Sequence, residues 1–285
     1  MLSDNRLLAG IAANAAFHAR GTTYFSKMES DLLNEIEKLY KSHLDSKILL
    51  AEIGEIYFPY FSFGNLDSRK LFGLDEIILF AFYHANRNRY KTILDLGANI
   101  GLHTLVLAKL GFEVTSYEPD EIHCLQFENV MNLNNLQKQK VTRKAIGVGT
   151  NPLKFTRILG NTTGSFVSDV KLDAYGEIET FNVEVDDIDE VLNSTHFDLV
   201  KMDVEGYEAT LLSRVSVENF RNTDFMVEIG SSKNAAIVFE LLADKKLNAF
   251  SQKNNWSRVE KIQDLPTHHS QGSLFIGNTH GPKWL

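Results

Sequence analysis

Ile93-Leu94-Asp95-Leu96-Gly97-Ala98-Asn99-Ile100-Gly101 reads as an apolar strand that enters a glycine-bearing turn and then a helix with apolar residues at helical spacing. Glycines at 97 and 101 remove side chains where the backbone must turn tightly and lie close to a ligand. Glu118 follows Asp95 by 23 residues, at the end of the next expected strand. A doubly wound fold places there the carboxylate that holds ribose hydroxyls. A dinucleotide fingerprint needs a third glycine, because a pyrophosphate sits on the helix N-terminus. Here the pattern is Gly-Ala-Asn-Ile-Gly with an acid two residues ahead of it, which weakens a dehydrogenase reading. S-adenosylmethionine carries an ammonium, a carboxylate and a sulfonium in place of phosphate, so an acid and backbone donors at this turn make chemical sense.

Outward from this turn, short apolar runs alternate with helical stretches. Thr92–Leu96, Glu113–Tyr117, Lys140–Ile146, Asp198–Met202 and Phe225–Ile229 read as strands, and Leu102–Leu110, Glu121–Leu133, Tyr207–Val215 and Ala235–Lys246 as helices. That alternation predicts an α/β fold: a doubly wound, Rossmann-like, mostly parallel sheet with helices on both faces. Residues 152–184 interrupt it with β-type alternation, and Ser273–Gly277 reads as a last strand. Upstream, Ser26 and Glu29 have the form of a capping box, and Met28, Leu32, Ile36, Leu39, Tyr40, Leu44 and Ile48 continue at spacings of three and four. They predict a helix of about six turns. Its apolar stripe either covers a core or joins two copies in a homodimer. The first 25 residues show no sustained apolar period, so little core is expected of them. The chain thus divides into an N-terminal helical extension, 1–73, and a sheet-bearing domain, 74–285.

The 285 residues are 44% hydrophobic and 23% charged, enough to bury a full core. Thirty-seven acids against 29 bases give a net charge of -8, which lacks the basic footprint that nucleic acid or an anionic membrane demands. Cys124 is the only cysteine, so neither an intramolecular disulfide nor a cysteine zinc cluster can form. No apolar run approaches the roughly 18 residues of a membrane span, and Leu7–Ala19 is a poor match to a secretory signal. A cytoplasmic location is the expectation.

Three blocks resemble the FkbM-type family of class I S-adenosylmethionine-dependent methyltransferases: Leu94 to Gly101; Tyr117-Glu118-Pro119-Asp120 with Asn132 and Asn134 beyond; and Phe197 to Glu208, whose Lys-x-Asp-x-Glu-Gly-x-Glu form is the most specific. Lys144-Ala145-Ile146-Gly147 supports them, and the resemblance covers about residues 74–230. It implies that Asp95, Gly97, Ala98, Asn99 and Gly101 surround the methionine part of the cofactor. It also implies that Glu118 with Pro119 holds the ribose, that Ala145 lies against the adenine, and that Asp203 borders the cofactor. Lys144 departs from the neutral or acidic group usual beside the adenine. Members of the family mostly methylate sugar hydroxyls, so a nucleotide-linked sugar or a surface glycan is the implied acceptor. An N-methyltransferase, a polyketide O-methyltransferase and a non-catalytic cofactor-binding scaffold are the alternatives.

Transfer to a hydroxyl needs a group that orients the oxygen and takes its proton. Asp203 is the first candidate, with Glu205, Glu228 and His269 as alternates; on an extended path Asp203 and Glu205 would project from the same side of the sheet edge. Glu205 is read chiefly as a cap for the following helix. Asp203, Glu205 and Glu228 gathered around magnesium are the less favoured reading. The 160–165 loop and the aromatic 57–63 segment suit a lid or plain packing, and His103 is read as lying on the less apolar side of its helix.

Overall fold

The computed structural model describes residues 2–40, 47–50, 52–167, 176–277 and 281–284. The helices are Leu7–Ala13 (α1), Thr23–Tyr40 (α2), Leu74–Ala85 (α3), Leu102–Lys109 (α4), Glu121–Leu133 (α5), Ile188–Ser194 (α6), Glu208–Arg214 (α7), Val217–Asn222 (α8) and Ser232–Asp244 (α9). The strands of the first half are Lys47–Leu50 (β1), Gly54–Tyr57 (β2), Thr92–Leu96 (β3), Glu113–Tyr117 (β4), Val141–Thr142 (β5), Ala145–Gly147 (β6), Leu153–Ile158 (β7) and Phe166–Val167 (β8). Those of the second are Ile178–Val183 (β9), Val185–Asp187 (β10), Leu199–Met202 (β11), Asp224–Glu228 (β12), Asn248–Ser251 (β13), Ser257–Arg258 (β14) and Ser273–Gly277 (β15).

Eight strands make the central sheet, in the order β14-β13-β15-β12-β11-β3-β4-β5. From β12 to β5 they run parallel, and β15, β13 and β14 complete one edge antiparallel. The fold is α/β, as the alternation of runs predicts. Most of β3 and all of β11 are buried, which is why they read as unbroken apolar runs. The chain leaves β3 for β4 and β5 on one side and comes back to β11 on the other. That reversal opens a crevice at the carboxyl ends of β3 and β11, where a doubly wound sheet binds its ligand. The register pairs Asp95 with Lys201 and Leu96 with Met202, so the Gly97 turn meets Asp203.

The structure differs from the expected elements in three places. The run 140–146 divides: β5 joins the central sheet, Lys144 N–H turns back onto the Thr142 carbonyl at 2.9 Å, and β6 pairs instead with β10. The 152–184 interruption is an antiparallel sheet of its own, β8-β7-β9. The long N-terminal helix ends at Tyr40 among the described residues; Leu44 lies outside them, and Ile48 sits in β1 opposite Ile56. Alternating burial in Lys47–Leu50 shows a period of two rather than of a helix. Ser26 does not cap that helix. Thr22 does, accepting from Phe25 N–H at 3.1 Å, and Ser26 lies one turn inside.

The first 25 residues carry core after all. Leu2, Leu7, Leu8, Ile11 and Ala12 are buried in the same cluster as α3 and α4. Four of the five lie on α1, a helix of seven residues, too brief to register as a sustained period. His18 then stitches this segment to the far edge of the sheet. Its Nε2 bonds the Ile11 carbonyl at 2.9 Å, its Nδ1 accepts from Trp256 Nε1 at 2.9 Å, and its carbonyl accepts from Gln252 at 3.3 Å. Both ring nitrogens are thus committed with one proton between them, and burial lowers the pKa from 6.5 to about 4.

A histidine held neutral by the fold contributes stability above about pH 6.5 that is lost as the pH falls toward 4. The shift corresponds to about 3 kcal/mol. Carboxyls raised by burial act in the opposite direction, so the comparison that isolates His18 is parent against His18→Gln in urea unfolding. Between pH 6.5 and 4 the parent should lose more stability than the variant. Parallel pH dependences would show that His18 is not held neutral by these contacts.

Candidate active site

Gly97 has φ +76°, and a Cβ there would come within 1.8 Å of the Asp203 carbonyl oxygen, so no side chain fits between the two strand ends. The Gly97 and Ala98 N–H groups donate to the Tyr117 carbonyl at 3.1 and 3.0 Å, which ties the turn to β4. Asn99 follows at φ 51°, a left-handed conformation that asparagine accepts better than most residues. Its N–H donates to Glu118 Oε2 at 2.9 Å. Gly101, also left-handed, packs against Phe127 of α5 with no room for a Cβ.

Above this turn lies a cavity of about 650 Å³, lined by Gly97, Asn99, Glu118, Pro119, Ala145 and Asp203 among others. Glu118 is 5% exposed, and its other oxygen accepts from Asp120 N–H at 2.9 Å. Burial pushes this carboxyl up to about 7, against the pull of the two backbone donors. The His123 ring stands 3.9 Å away, and burial lowers it to about 4. Lys144 lines the cavity beside Ala145 and is paired with Asp186 at 2.8 Å, so its charge is turned to a protein partner.

The β8-β7-β9 sheet is clamped to this end. Arg157 forks onto both oxygens of Asp120, at 2.6 and 2.7 Å, and Asp120 in turn caps α5. Its guanidinium also lies 4.7 Å from the Phe181 ring centre. The clamp brings Thr162, Thr163 and Ser165 to the cavity wall, with Thr162 bonded to His123 at 3.0 Å. Of the lid suggested by sequence, the 160–165 loop therefore lines the cavity. The aromatics stand behind it: Phe61 and Phe63 pack edge-on to His123, and Phe63 accepts the Thr162 N–H.

The far end is electrostatic. Lys201, 5% exposed, donates to the Gly97 carbonyl at 3.3 Å and lies 3.5 Å from Asp203 and 3.7 Å from Asp95. Burial would lower its pKa, but Asp203, Asp95, Glu76 and Glu228 outweigh that and raise it. Asp95 is wholly buried behind the turn and lines neither cavity described here. Thr104 donates to one of its oxygens at 2.7 Å, and the other has no hydrogen-bond donor. A second cavity of about 360 Å³ shares Gly97, Asn99 and Asp203 with the first and is bordered by Ala98, Glu76, His103 and Lys201.

Asp203 and Glu205 both line the first cavity, but not along an extended path: Glu205 has φ 55°, which turns the chain. The N-cap of α7 is Tyr207 rather than Glu205, and Glu208 orders the loop before the helix, accepting from the Val204 and Gly206 N–H groups at 3.2 and 2.9 Å. Burial pushes Glu208 up to about 7. Glu228 ends β12 one place beyond the Met202–Val227 pair, beside Asp203, and borders neither cavity. Burial, with Asp203 and Glu205 nearby, drives its pKa well above the ordinary range. His269, in a short turn before β15 and stacked on His268, borders neither cavity either. Among the described residues no three His, Cys, Asp or Glu side chains are grouped to hold a metal ion, so Asp203, Glu205 and Glu228 do not converge as a cation trio. No helix among the described residues is long and apolar enough to cross a membrane.

Sequence reading missed Lys201, Glu76, Glu208 and His123. For Lys201 the signal was present: two residues before Asp203 on a strand, it must share that face. Asn134 has a structural task, bonding both the N–H and the carbonyl of Tyr57, at 2.8 and 2.7 Å.

Arg157→Met should cost about 3–5 kcal/mol in chemical unfolding, because it strands the buried Asp120 charge. Adding Asp120→Asn should recover part of the loss. Two strictly additive losses would show that the pair does not anchor the small sheet.

Residues 95–252, more than half the chain, match the Methyltransferase FkbM domain. No curated protein matches the chain in sequence. Among solved structures it is similar to the ribosomal protein L11 methylase of Lactobacillus delbrueckii subsp. bulgaricus, at 12% identity over 70% of this chain and 78% of that one, TM-score 0.36. It is similar to a SAM-dependent methyltransferase of Agrobacterium tumefaciens, at 10% identity over 81% and 68%, TM-score 0.41. It is also similar to an O-methyltransferase of Bacillus cereus solved with SAH, at 12% identity over 86% and 89%, TM-score 0.37. The matched span takes in the Gly97 turn, Glu118 and the Lys201–Glu208 block, and on that match the chain belongs to the FkbM methyltransferase family, as a methyltransferase dependent on S-adenosylmethionine.

Proposed function

We propose that the protein transfers a methyl group from S-adenosylmethionine to a hydroxyl of a sugar, on a nucleotide-linked sugar or a surface glycan. The observation that carries this reading is the Asp203 carboxylate. It stands at the rim shared by both cavities, 32% exposed, with the buried Lys201 ammonium 3.5 Å behind it. The residues present fit the cofactor: a cradle at Gly97 that a Cβ would fill, Glu118 at the end of β4, and a cavity wall of Pro119 and Ala145. When bound, the cofactor supplies an electrophilic methyl on a sulfonium.

The chain supplies the rest. Glu118 accepts the ribose hydroxyls in this reading, and the small Ala145 leaves space for a flat base. Asp203 accepts the proton of the acceptor hydroxyl as that oxygen becomes bonded to the methyl carbon. The Lys201 ammonium, 3.5 Å from the carboxylate, holds it toward the rim. Tyr207, half-buried on the cavity wall, offers a ring face suited to the apolar face of a sugar.

Asp203→Asn keeps the size and removes the proton acceptor. It should slow methyl transfer by about 100- to 10,000-fold, with S-adenosylhomocysteine affinity within a few-fold of the parent by calorimetry. Full activity would remove Asp203 from the mechanism.

Glu118→Ala should weaken cofactor binding by about 1.5–3 kcal/mol while leaving turnover at saturating cofactor nearly unchanged, since a ribose contact is made equally before and during transfer. Unchanged affinity would place the ribose elsewhere. Release of S-adenosylhomocysteine over a panel of free, nucleotide-linked and oligomeric sugars tests the acceptor class; turnover only with amines or polyketide hydroxyls would overturn it.

A further inference from the structure

Residues 61–67 lie in the N-terminal extension, upstream of the matched span, yet they meet the 160–165 loop that walls the first cavity. The Asn65 N–H donates to the Gly160 carbonyl and the Thr162 N–H to the Phe63 carbonyl, each at 2.8 Å, so Gly64 and Asn161 face each other across an antiparallel bridge. Gly64 has φ +103°, and a Cβ there would come within 2.6 Å of the Gly160 and Leu159 backbone, so the two segments touch main chain to main chain. The turn that makes this contact is closed on itself. Phe63 N–H donates to the Leu66 carbonyl at 2.8 Å, the Ser68 hydroxyl accepts the Phe61 N–H at 2.7 Å, and Arg69 ties Asp67 to Glu37 of α2. From the bridge a line of contacts runs inward. Thr162 Oγ1 and His123 Nε2 are 3.0 Å apart, Phe61 and Phe63 hold the imidazole edge-on, and its Nδ1 stands 3.9 Å from Glu118 Oε1. Thr162, His123 and Glu118 all line the cavity.

We propose that the 61–67 turn is a positioning device: Gly64 fixes the 160–165 loop, the loop fixes Thr162 and His123, and His123 backs the Glu118 carboxylate. The proposal rests on the reading that Glu118 takes the ribose, and adds that the geometry of that contact is set from outside the family domain. Burial keeps the His123 ring neutral. The ring therefore stops the carboxylate from swinging away from the cavity without acting as its counter-ion. Only glycine fits at the bridge, because any side chain there would push the loop, and with it Thr162, off this position.

Calorimetric titration with S-adenosylhomocysteine and with 5′-methylthioadenosine, which share the nucleoside, tests this coupling. Gly64→Ala should weaken both ligands alike, by about 3- to 10-fold, the range of one hydrogen bond. Thr162→Val, which keeps the shape and removes the hydroxyl, should do the same, and Thr162→Ser should bind as the parent does. Combining Gly64→Ala with Thr162→Val should cost no more affinity than the larger single loss, because both act through one contact. Ile11→Val loosens the core of the extension away from the bridge, and should lower stability with both affinities unchanged. Parent affinity in Thr162→Val or in a folded Gly64→Ala, additive losses in the pair, no rescue by serine, or equal weakening by Ile11→Val would each overturn the proposal. Thr162→Val decides alone if Gly64→Ala does not fold. Glu118→Ala separates the proposal from the reading beneath it. If it weakens both ligands while Gly64→Ala and Thr162→Val weaken neither, only the positioning device falls; if it too weakens neither, the ribose assignment falls.

Discussion

Two strand ends, β3 and β11, meet so closely that the Gly97 backbone lies against the Asp203 carbonyl with no space for a side chain. This contact exists because the chain reverses direction between those strands, and it sets the position of every group in the site. The turn after β3 must fold back over β4, which brings Asn99 onto Glu118. The turn after β11 must leave in the other direction, which puts Glu205 in a left-handed conformation and leaves Asp203 at the rim. Both strained positions are held by acids at the starts or ends of neighbouring elements, Glu118 and Glu208. Such strain persists only where the surroundings over-determine it.

A second consequence is the buried ammonium of Lys201. At this crossing Asp95, Asp203, Glu76 and Glu228 all influence one lysine. Carboxylates so close would repel one another in a site shielded from water. The lysine makes their proximity tolerable and couples the back of the Gly97 turn to its front. Methyl transfer turns a sulfonium into a neutral thioether, so an acid-rich site favours the charged cofactor over its product.

Much of the fold was legible because the central parallel strands β3, β11 and β12 are largely buried on both faces and their apolar runs leave little ambiguity. The Gly97 turn and Glu118 were legible too, since backbone geometry dictates glycine and topology dictates the acid. Three things were not. Residues 2–12 bury their apolar side chains in too short a segment to form a period, and His18 joins Trp256 across 238 residues of sequence. The strand after Thr142 changes sheets at a turn that Lys144 does not announce. Glu205 and Glu208 look equivalent in sequence, and only the left-handed turn at Glu205 decides that Glu208 reaches back to the loop. Glu76 was hidden for a related reason: it belongs to α3, ahead of every motif, and only tertiary packing brings it to His103.

In the proposed function, cofactor and acceptor meet at the β3–β11 crossing. A crystal structure of the protein with S-adenosylhomocysteine tests it most directly. The ribose is expected on Glu118, the adenine against Ala145 and the thioether sulfur beside Asp203. Density for the ligand elsewhere, or a sulfur directed away from Asp203, would contradict it.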